Sequence, residues 1–257
     1  KKKNFKNNLL KLFSIIKNIL TVLRNYTLPS KNIWAPGYYA YERFISEELE
    51  DSYKYFKKYF YTAIFLPCKR LRSYAINRAL KNDIDEESYY IEFGVYTGES
   101  TNFFSSNIKN IFYGFDSFEG FNEDWLGHAH GVGDFSLEKR KPVLNKNVSL
   151  EIGWVQDTLP IFIKKNPDIK INFIHMDMDT YKTSKFILET IKPYLKDKAI
   201  ICFDELYNFE GWKVGEFKAL AEVFNEDEYT YKCFSNDGAQ VVIEYLKNDW
   251  VIIFKIF

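Results

Sequence analysis

The chain has 257 residues, 46% of them hydrophobic and 27% charged, which is enough apolar material for one large domain with an appendage. Its 35 basic residues balance 35 acidic ones, but eight of the basic residues precede the first carboxylate, Glu42, so the body is acidic. That excludes a nucleic-acid-binding body, which needs basic surface for phosphate contacts. Cys68, Cys202 and Cys233 are odd in number, lack metal-type spacing and lie in apolar surroundings, which points to a reducing cytoplasm. No apolar run is long enough to span a bilayer.

From the N-terminus, Leu9, Leu12, Phe13, Ile16, Ile19, Leu20 and Leu23 fall on one helical stripe with Lys11, Lys17 and Arg24 off it. This amphipathic basic helix, closed by Pro29, is expected to pack on its own domain or on a sister subunit in a homo-oligomer. Peripheral contact with an anionic membrane surface is the alternative. Residues 34–81 are aromatic-rich and read as two or three helices, so 1–85 is expected to form an N-terminal helical extension. Beyond it, 86–257 alternates strands and helices. Strands are predicted at 89–95, 111–116, 148–152, 171–177, 199–204, 229–234 and 239–246, and helices near 99–109, 157–165, 181–195 and 212–225. Short apolar runs separated by helical spacers give an α/β, doubly wound, mostly parallel seven-stranded sheet, which binds ligands beyond the carboxyl ends of its strands.

The segment Glu92-Phe93-Gly94-Val95-Tyr96-Thr97-Gly98 closes the first of these strands and opens a helix at Glu99-Ser100-Thr101. A glycine pair after a strand occurs in many βα turns, but here the next strand ends on Asp116, placed to accept ribose hydroxyls while Gly94 and Gly98 let a ligand approach the backbone. The spacing departs from Gly-x-Gly-x-x-Gly, which disfavours a nicotinamide dinucleotide and favours S-adenosylmethionine.

Further along, Asp177-Met178-Asp179 and Asp204-Glu205 end two strands predicted to be neighbours. Carboxylates gathered at one rim repel each other unless a cation joins them, and an all-oxygen donor set selects Mg²⁺, Mn²⁺ or Ca²⁺ over Zn²⁺. Asp179 also reads as a helix N-cap. A cation would acidify a bound hydroxyl, and the leading acceptor for its proton is Asp177, with His128 or His130 as the alternative. His175, inside an apolar strand, reads as a buried structural residue. The segment 117–147 has no strong period and carries Phe118, Phe121, Trp125 and both loop histidines, as expected of a loop that closes over substrate.

Five motifs are similar, in order and spacing, to those of the macrocin-type sugar O-methyltransferases. They are Glu92 to Gly98, Tyr113-Gly-Phe-Asp-Ser-Phe-Glu-Gly120, Gly153-Trp-Val-Gln-Asp-Thr-Leu-Pro160, His175-Met-Asp-Met-Asp-Thr-Tyr181 and Phe203-Asp-Glu205. The resemblance covers about residues 88–246. It implies a class I methyltransferase (Rossmann-like) fold, S-adenosylmethionine and Mg²⁺ as cofactors, and a sugar-containing acceptor in a glycan or glycosylated natural product. It places Glu92, Gly94 and Gly98 at the methionine part of the cofactor, Asp116 at the ribose, and Trp154, Val155, Gln156 and Asp157 at the adenine. Val95, Tyr96, Ser100, Ser117 and Phe118 are expected to bind the cofactor as well. Asp177, Asp204 and Glu205 fall at the metal, with Glu205 departing from the family's usual second Asp. A non-catalytic cofactor-binding scaffold and a nicotinamide-dependent oxidoreductase are the competing readings.

Overall fold

The computed structural model describes residues 36–84 and 87–247; the predicted basic helix at 9–23 lies outside the described residues. Within them the chain runs α1 (Pro36–Phe60), β1 (Ile64–Leu66), α2 (Cys68–Asn82), β2 (Tyr89–Phe93), α3 (Glu99–Ser105), β3 (Phe112–Asp116), β4 (Val148–Ile152), α4 (Val155–Lys165), β5 (Ile171–Met176), α5 (Tyr181–Ile191), β6 (Leu195–Phe203), α6 (Glu216–Val223), β7 (Tyr229–Ser235) and β8 (Val241–Tyr245). No helix among the described residues is long and apolar enough to cross a membrane.

The strands form one sheet in the order β1-β7-β8-β6-β5-β2-β3-β4. All pair in parallel except β8, which runs antiparallel to both β6 and β7. The expected doubly wound, mostly parallel sheet is thus present with eight strands instead of seven. The addition is β1, three residues at the edge beside β7, whose Ile64 and Phe65 remain largely exposed. A strand that short carries no alternation from which to read it.

Central strands are buried and mostly apolar because helices cover both faces. Every residue of β5 is buried, as are the last five of β6. One face packs on Phe56 of α1, Leu159 and Phe162 of α4, Ile187, Leu188 and Ile191 of α5, and Ala219 and Leu220 of α6. The other packs on α2 through Leu71, Ala75, Ile76 and Ala79, spaced along one helix face, and on Phe104 of α3. β1 and α2 belong to this sheet and its core, and the compact unit that contains them begins at Phe44.

The sheet order reverses between β2 and β5: β3 and β4 continue on one side, β6 on the other. Loops leaving β2 and β5 diverge at such a point and open a crevice beyond the strand ends. The polar signatures fall around it.

Candidate active site

The glycine turn and the acidic strand end are built as one unit. Gly94 leaves β2 at φ +92°, a left-handed conformation open to glycine, and its amide donates to Phe115 O at 3.0 Å. A Cβ at Gly94 would stand 1.8 Å from the carbonyl oxygen of Asp177, and Asp177 N donates to Phe93 O at 2.9 Å. Only glycine lets the two backbones lie this close.

Asp116, at the end of β3, braces that turn. Its Oδ2 accepts the amides of Val95 and Tyr96 at 2.8 and 2.7 Å, and its Oδ1 accepts that of Phe118 at 2.7 Å. Expected as a ribose ligand, Asp116 is found holding the turn, with acceptor capacity left on Oδ1.

A cavity of about 290 Å³ lies over the switch point. Gly94, Tyr96, Asp116, Ser117, Trp154, Val155 and Gln156 line it, as expected, and so do Asp177, Asp204 and Glu205. Gln156 Oε1 is buried there without a partner among the described residues, an acceptor available to a ligand. The remaining expected cofactor residues, Glu92, Val95, Gly98, Ser100, Phe118 and Asp157, do not line the cavity. Glu92 is fully buried behind the turn, accepting from Thr101 Oγ1 and pairing with His175 Nδ1 at 2.8 Å. Gly98 caps α3 at φ +80° under Leu144, Ser100 and Phe118 are buried, and Asp157 is exposed on the first turn of α4.

The acidic rim differs from its expected membership. Asp177, Asp179 and Glu205 each bring an oxygen within 4.8 Å of the others. Asp204 is drawn aside: its Oδ1 accepts from Arg72 Nη2 at 3.0 Å and from Gln240 Nε2, with His175 Nε2 at 3.5 Å. Asp179 joins the cluster in place of capping α5, at φ +58°, a strained conformation for a non-glycine residue. The α5 N-cap position falls to Thr180, which makes no side-chain cap bond.

The electrostatics follow from this division. Burial, reinforced by the Asp204 charge, pushes Asp177 far above the usual carboxylate range, and burial with Asp204 and Asp179 does the same to Glu205. Asp179 is raised to about 6, again chiefly by burial. Burial also opposes ionisation of Asp204, but His175, Glu205 and Arg72 outweigh it and hold that carboxyl low. Burial alone would lower His175, yet Asp204 and Glu92 raise it to about 10. Glu92 and His175, which gather with Asp177 beside the rim, already pair with each other at 2.8 Å. Behind the rim, buried Glu216 accepts the amides of Met178 and Glu205 at 3.2 and 3.3 Å. A hard divalent cation fits the rim: every donor is oxygen, Glu205 Oε2 is buried without a partner among the described residues, and burial penalises the carboxylate charges that a cation would balance.

The loop 117–147 closes one side of the cavity with Phe121, Trp125 and Phe135. It is anchored to α5 by Glu123, whose Oε1 accepts the amides of Lys182 and Thr183 at 2.9 and 3.1 Å, supplying the cap that Thr180 does not. His128 and His130 do not line the cavity. They stack behind Trp125, with ring centroids 4.1 Å apart for Trp125 and His128 and 5.1 Å for the two histidines, and His130 Nδ1 meets Asp134 Oδ2 at 3.0 Å. They support the loop and are not placed to take a proton in the cavity.

Arg72, Gln240, Glu216 and Glu123 went unseen in the sequence, because each acts on the site from a segment other than the strand-end signatures.

Residues 91–206 match a family described as a methyltransferase domain. No curated protein matches the sequence. Among solved structures, the fold is similar to CalS11, calicheamicin methyltransferase, at 23% identity, covering 88% of this chain and 90% of that one with a TM-score of 0.57. An apo structure of CalS11, described as TDP-rhamnose 3'-O-methyltransferase, matches at 20% identity over 77% and 93% of the two chains with a TM-score of 0.50. The O-methyltransferase NovP matches at 19% identity over 70% and 79%, also with a TM-score of 0.50. Residues 91–206 are thus similar to a methyltransferase domain, and the chain has the α/β, mostly parallel, Rossmann-like fold of class I methyltransferases.

Proposed function

We propose that this protein is an S-adenosylmethionine-dependent O-methyltransferase that methylates a sugar hydroxyl in a glycan or glycosylated natural product, assisted by Mg²⁺ or another hard divalent cation. The observation that carries this reading is the joining of the glycine turn to the acidic rim at Gly94 and Asp177, which puts a nucleoside-type site and a cation-type site in one cavity. Sugar as the acceptor class rests on the resemblance of the five motifs, and CalS11, with TDP-rhamnose in its description, accords with it.

S-adenosylmethionine would supply an already activated methyl group on a sulfonium, and a bound cation would acidify the acceptor hydroxyl. The chain's own residues supply placement and proton transfer. Asp116 fixes the turn against which the cofactor lies, and Gln156 offers its unpartnered acceptor. The cavity is lined by Asp116, Asp177, Asp179, Asp204 and Glu205 and, among the described residues, by no Lys, Arg or His, so it favours a cationic cofactor. Asp177, Asp179 and Glu205 would hold the metal, with Asp204 kept ionised beside them by Arg72 and His175. Asp177 is the proposed proton acceptor, since it lines the cavity at the rim where the acceptor hydroxyl would be held. Orientation of the hydroxyl toward the methyl group contributes several kcal/mol.

Incubating the protein with glycosides and isotope-labelled S-adenosylmethionine, and following the products by mass spectrometry, tests the reading. Label should appear on a sugar hydroxyl with Mg²⁺ present and vanish with EDTA. Label found only on non-sugar acceptors would overturn the sugar assignment, and transfer indifferent to EDTA would overturn the metal assignment.

A further inference from the structure

A second, smaller cavity of about 180 Å³ adjoins the first and shares Trp125, Asp179 and Thr180 with it. Its outer wall is Leu126, 59% exposed, and Val214, at the rim. The two loops that frame it are held in register: a Cβ at Gly127 would stand 2.7 Å from Gly211 Cα, so neither glycine can be replaced without parting them.

Charge in this cleft is one-sided. Glu123, Asp124 and Asp179 line it against a single cation, Lys182, which lies 4.0 Å from Glu123 and is mostly exposed. Among the described residues Asp124 Oδ1 accepts the Val132 amide at 3.2 Å, leaving acceptor capacity on the carboxylate. Trp125 is 7% exposed, and its indole N–H is buried with no partner among the described residues. A buried donor without an acceptor at a cavity wall is a place for a ligand oxygen. An apolar lip, an indole and free carboxylate oxygens suit a ring bearing hydroxyl or amino groups, and a volume below that of drug-sized sites suits one ring.

We propose that this cleft seats the acceptor ring, with the reacting hydroxyl turned toward Asp179, and that the ring is a neutral or amino sugar carrying no carboxylate or phosphate of its own. The inference rests on the methyltransferase reading above. Asp179 is the shared wall, so a ring seated in the cleft reaches the acidic cluster without crossing the cofactor's part of the cavity. With Asp179 committed to the cation, an anionic ring would still meet the carboxylates of Glu123 and Asp124 in the cleft wall, and like charges so placed are rejected.

The test uses the full chain saturated with S-adenosylhomocysteine and Mg²⁺, and three probes: 4-nitrophenyl glucoside, glucosaminide and glucuronide. Saturation-transfer NMR should show the glucoside and glucosaminide binding, with the glucuronide weaker by about ten-fold or more. Trp125→Ala should abolish glucoside binding. Because that variant risks disturbing the loop, Leu126→Arg provides a second arm: it lines only this cleft, should leave S-adenosylhomocysteine binding intact, and should bring the glucuronide to within about three-fold of the glucoside. Glucuronide binding equal to glucoside in the unaltered chain, an unchanged ratio in Leu126→Arg, or no binding of any probe by cofactor-loaded protein would overturn the proposal. Failure of S-adenosylhomocysteine itself to bind would remove the underlying reading and the inference with it.

Discussion

Arg72→Met isolates the charge balance at the acidic rim. The guanidinium reaches Asp204 at 3.0 Å, with the two side chains 21% and 17% exposed, so the pair is largely but not wholly withdrawn from water. Removing one partner of a buried pair costs about 3–5 kcal/mol because the other charge is left uncompensated. Residual solvent and the neighbouring His175 place this case at the low end. Methionine also removes the Arg72 Nε donor, which is buried without a partner among the described residues, returning about 1 kcal/mol. The net expectation is a loss of about 2 kcal/mol, or a fall in Tm of about 4–8 °C for a domain of this size. Saturating Mg²⁺ should recover at least half of that loss, since the cation supplies positive charge beside the released Asp204. Thermal unfolding of both proteins with Mg²⁺ and with EDTA measures all four terms. An equal loss in the two conditions, or no loss in EDTA, would refute the view that Arg72 stands in for positive charge at the rim.

Three further outcomes are expected. Gly94→Ala places a methyl group 1.8 Å from the Asp177 carbonyl at a φ of +92°; it should cost at least about 2 kcal/mol in urea unfolding and abolish S-adenosylhomocysteine binding in calorimetry, and near-native affinity would contradict the close approach. Asp116→Ala deprives three amides of their acceptor and should weaken S-adenosylhomocysteine about 30-fold, equivalent to about 2 kcal/mol, while a Mn²⁺ titration stays unchanged. Without divalent cation, stability should depend on pH through Asp179: its folded value of about 6 exceeds the ordinary 3.8, so the folded state keeps the proton, and stability present below pH 4 is lost as pH rises through 6, by no more than about 3 kcal/mol. Urea midpoints at pH 4, 5 and 7.5, with and without Mg²⁺, check the sign, and stability rising over that interval in EDTA would contradict it.

Strands β2 to β8 were legible because buried strands of a parallel sheet are predominantly apolar runs, and Ile200 to Phe203 is the plainest case. Edge strand β1 offered no such run. The site was legible as two signatures at strand ends but not as an arrangement of side chains. Asp204 and Asp179 look alike in sequence, and what separates them is Arg72, 132 residues from Asp204, which draws that carboxylate out of the cluster. Glu92 sits in a motif associated with cofactor binding, yet its side chain leaves β2 toward Thr101 and His175, a direction set by strand alternation and by a partner 83 residues away. His128 and His130 had the right chemistry for a base, but the stacking that puts them behind Trp125 exists only once the loop is folded.

The most direct test of the central claim, that one cavity holds a nucleoside half and a cation half side by side, is a paired calorimetric titration. S-adenosylhomocysteine is titrated into the EDTA-treated protein, and Mn²⁺ into the protein already loaded with it. One equivalent of each should bind, the first without metal and the second lost in Asp177→Asn. Mutually exclusive binding, or Mn²⁺ binding that survives Asp177→Asn unchanged, would contradict the account.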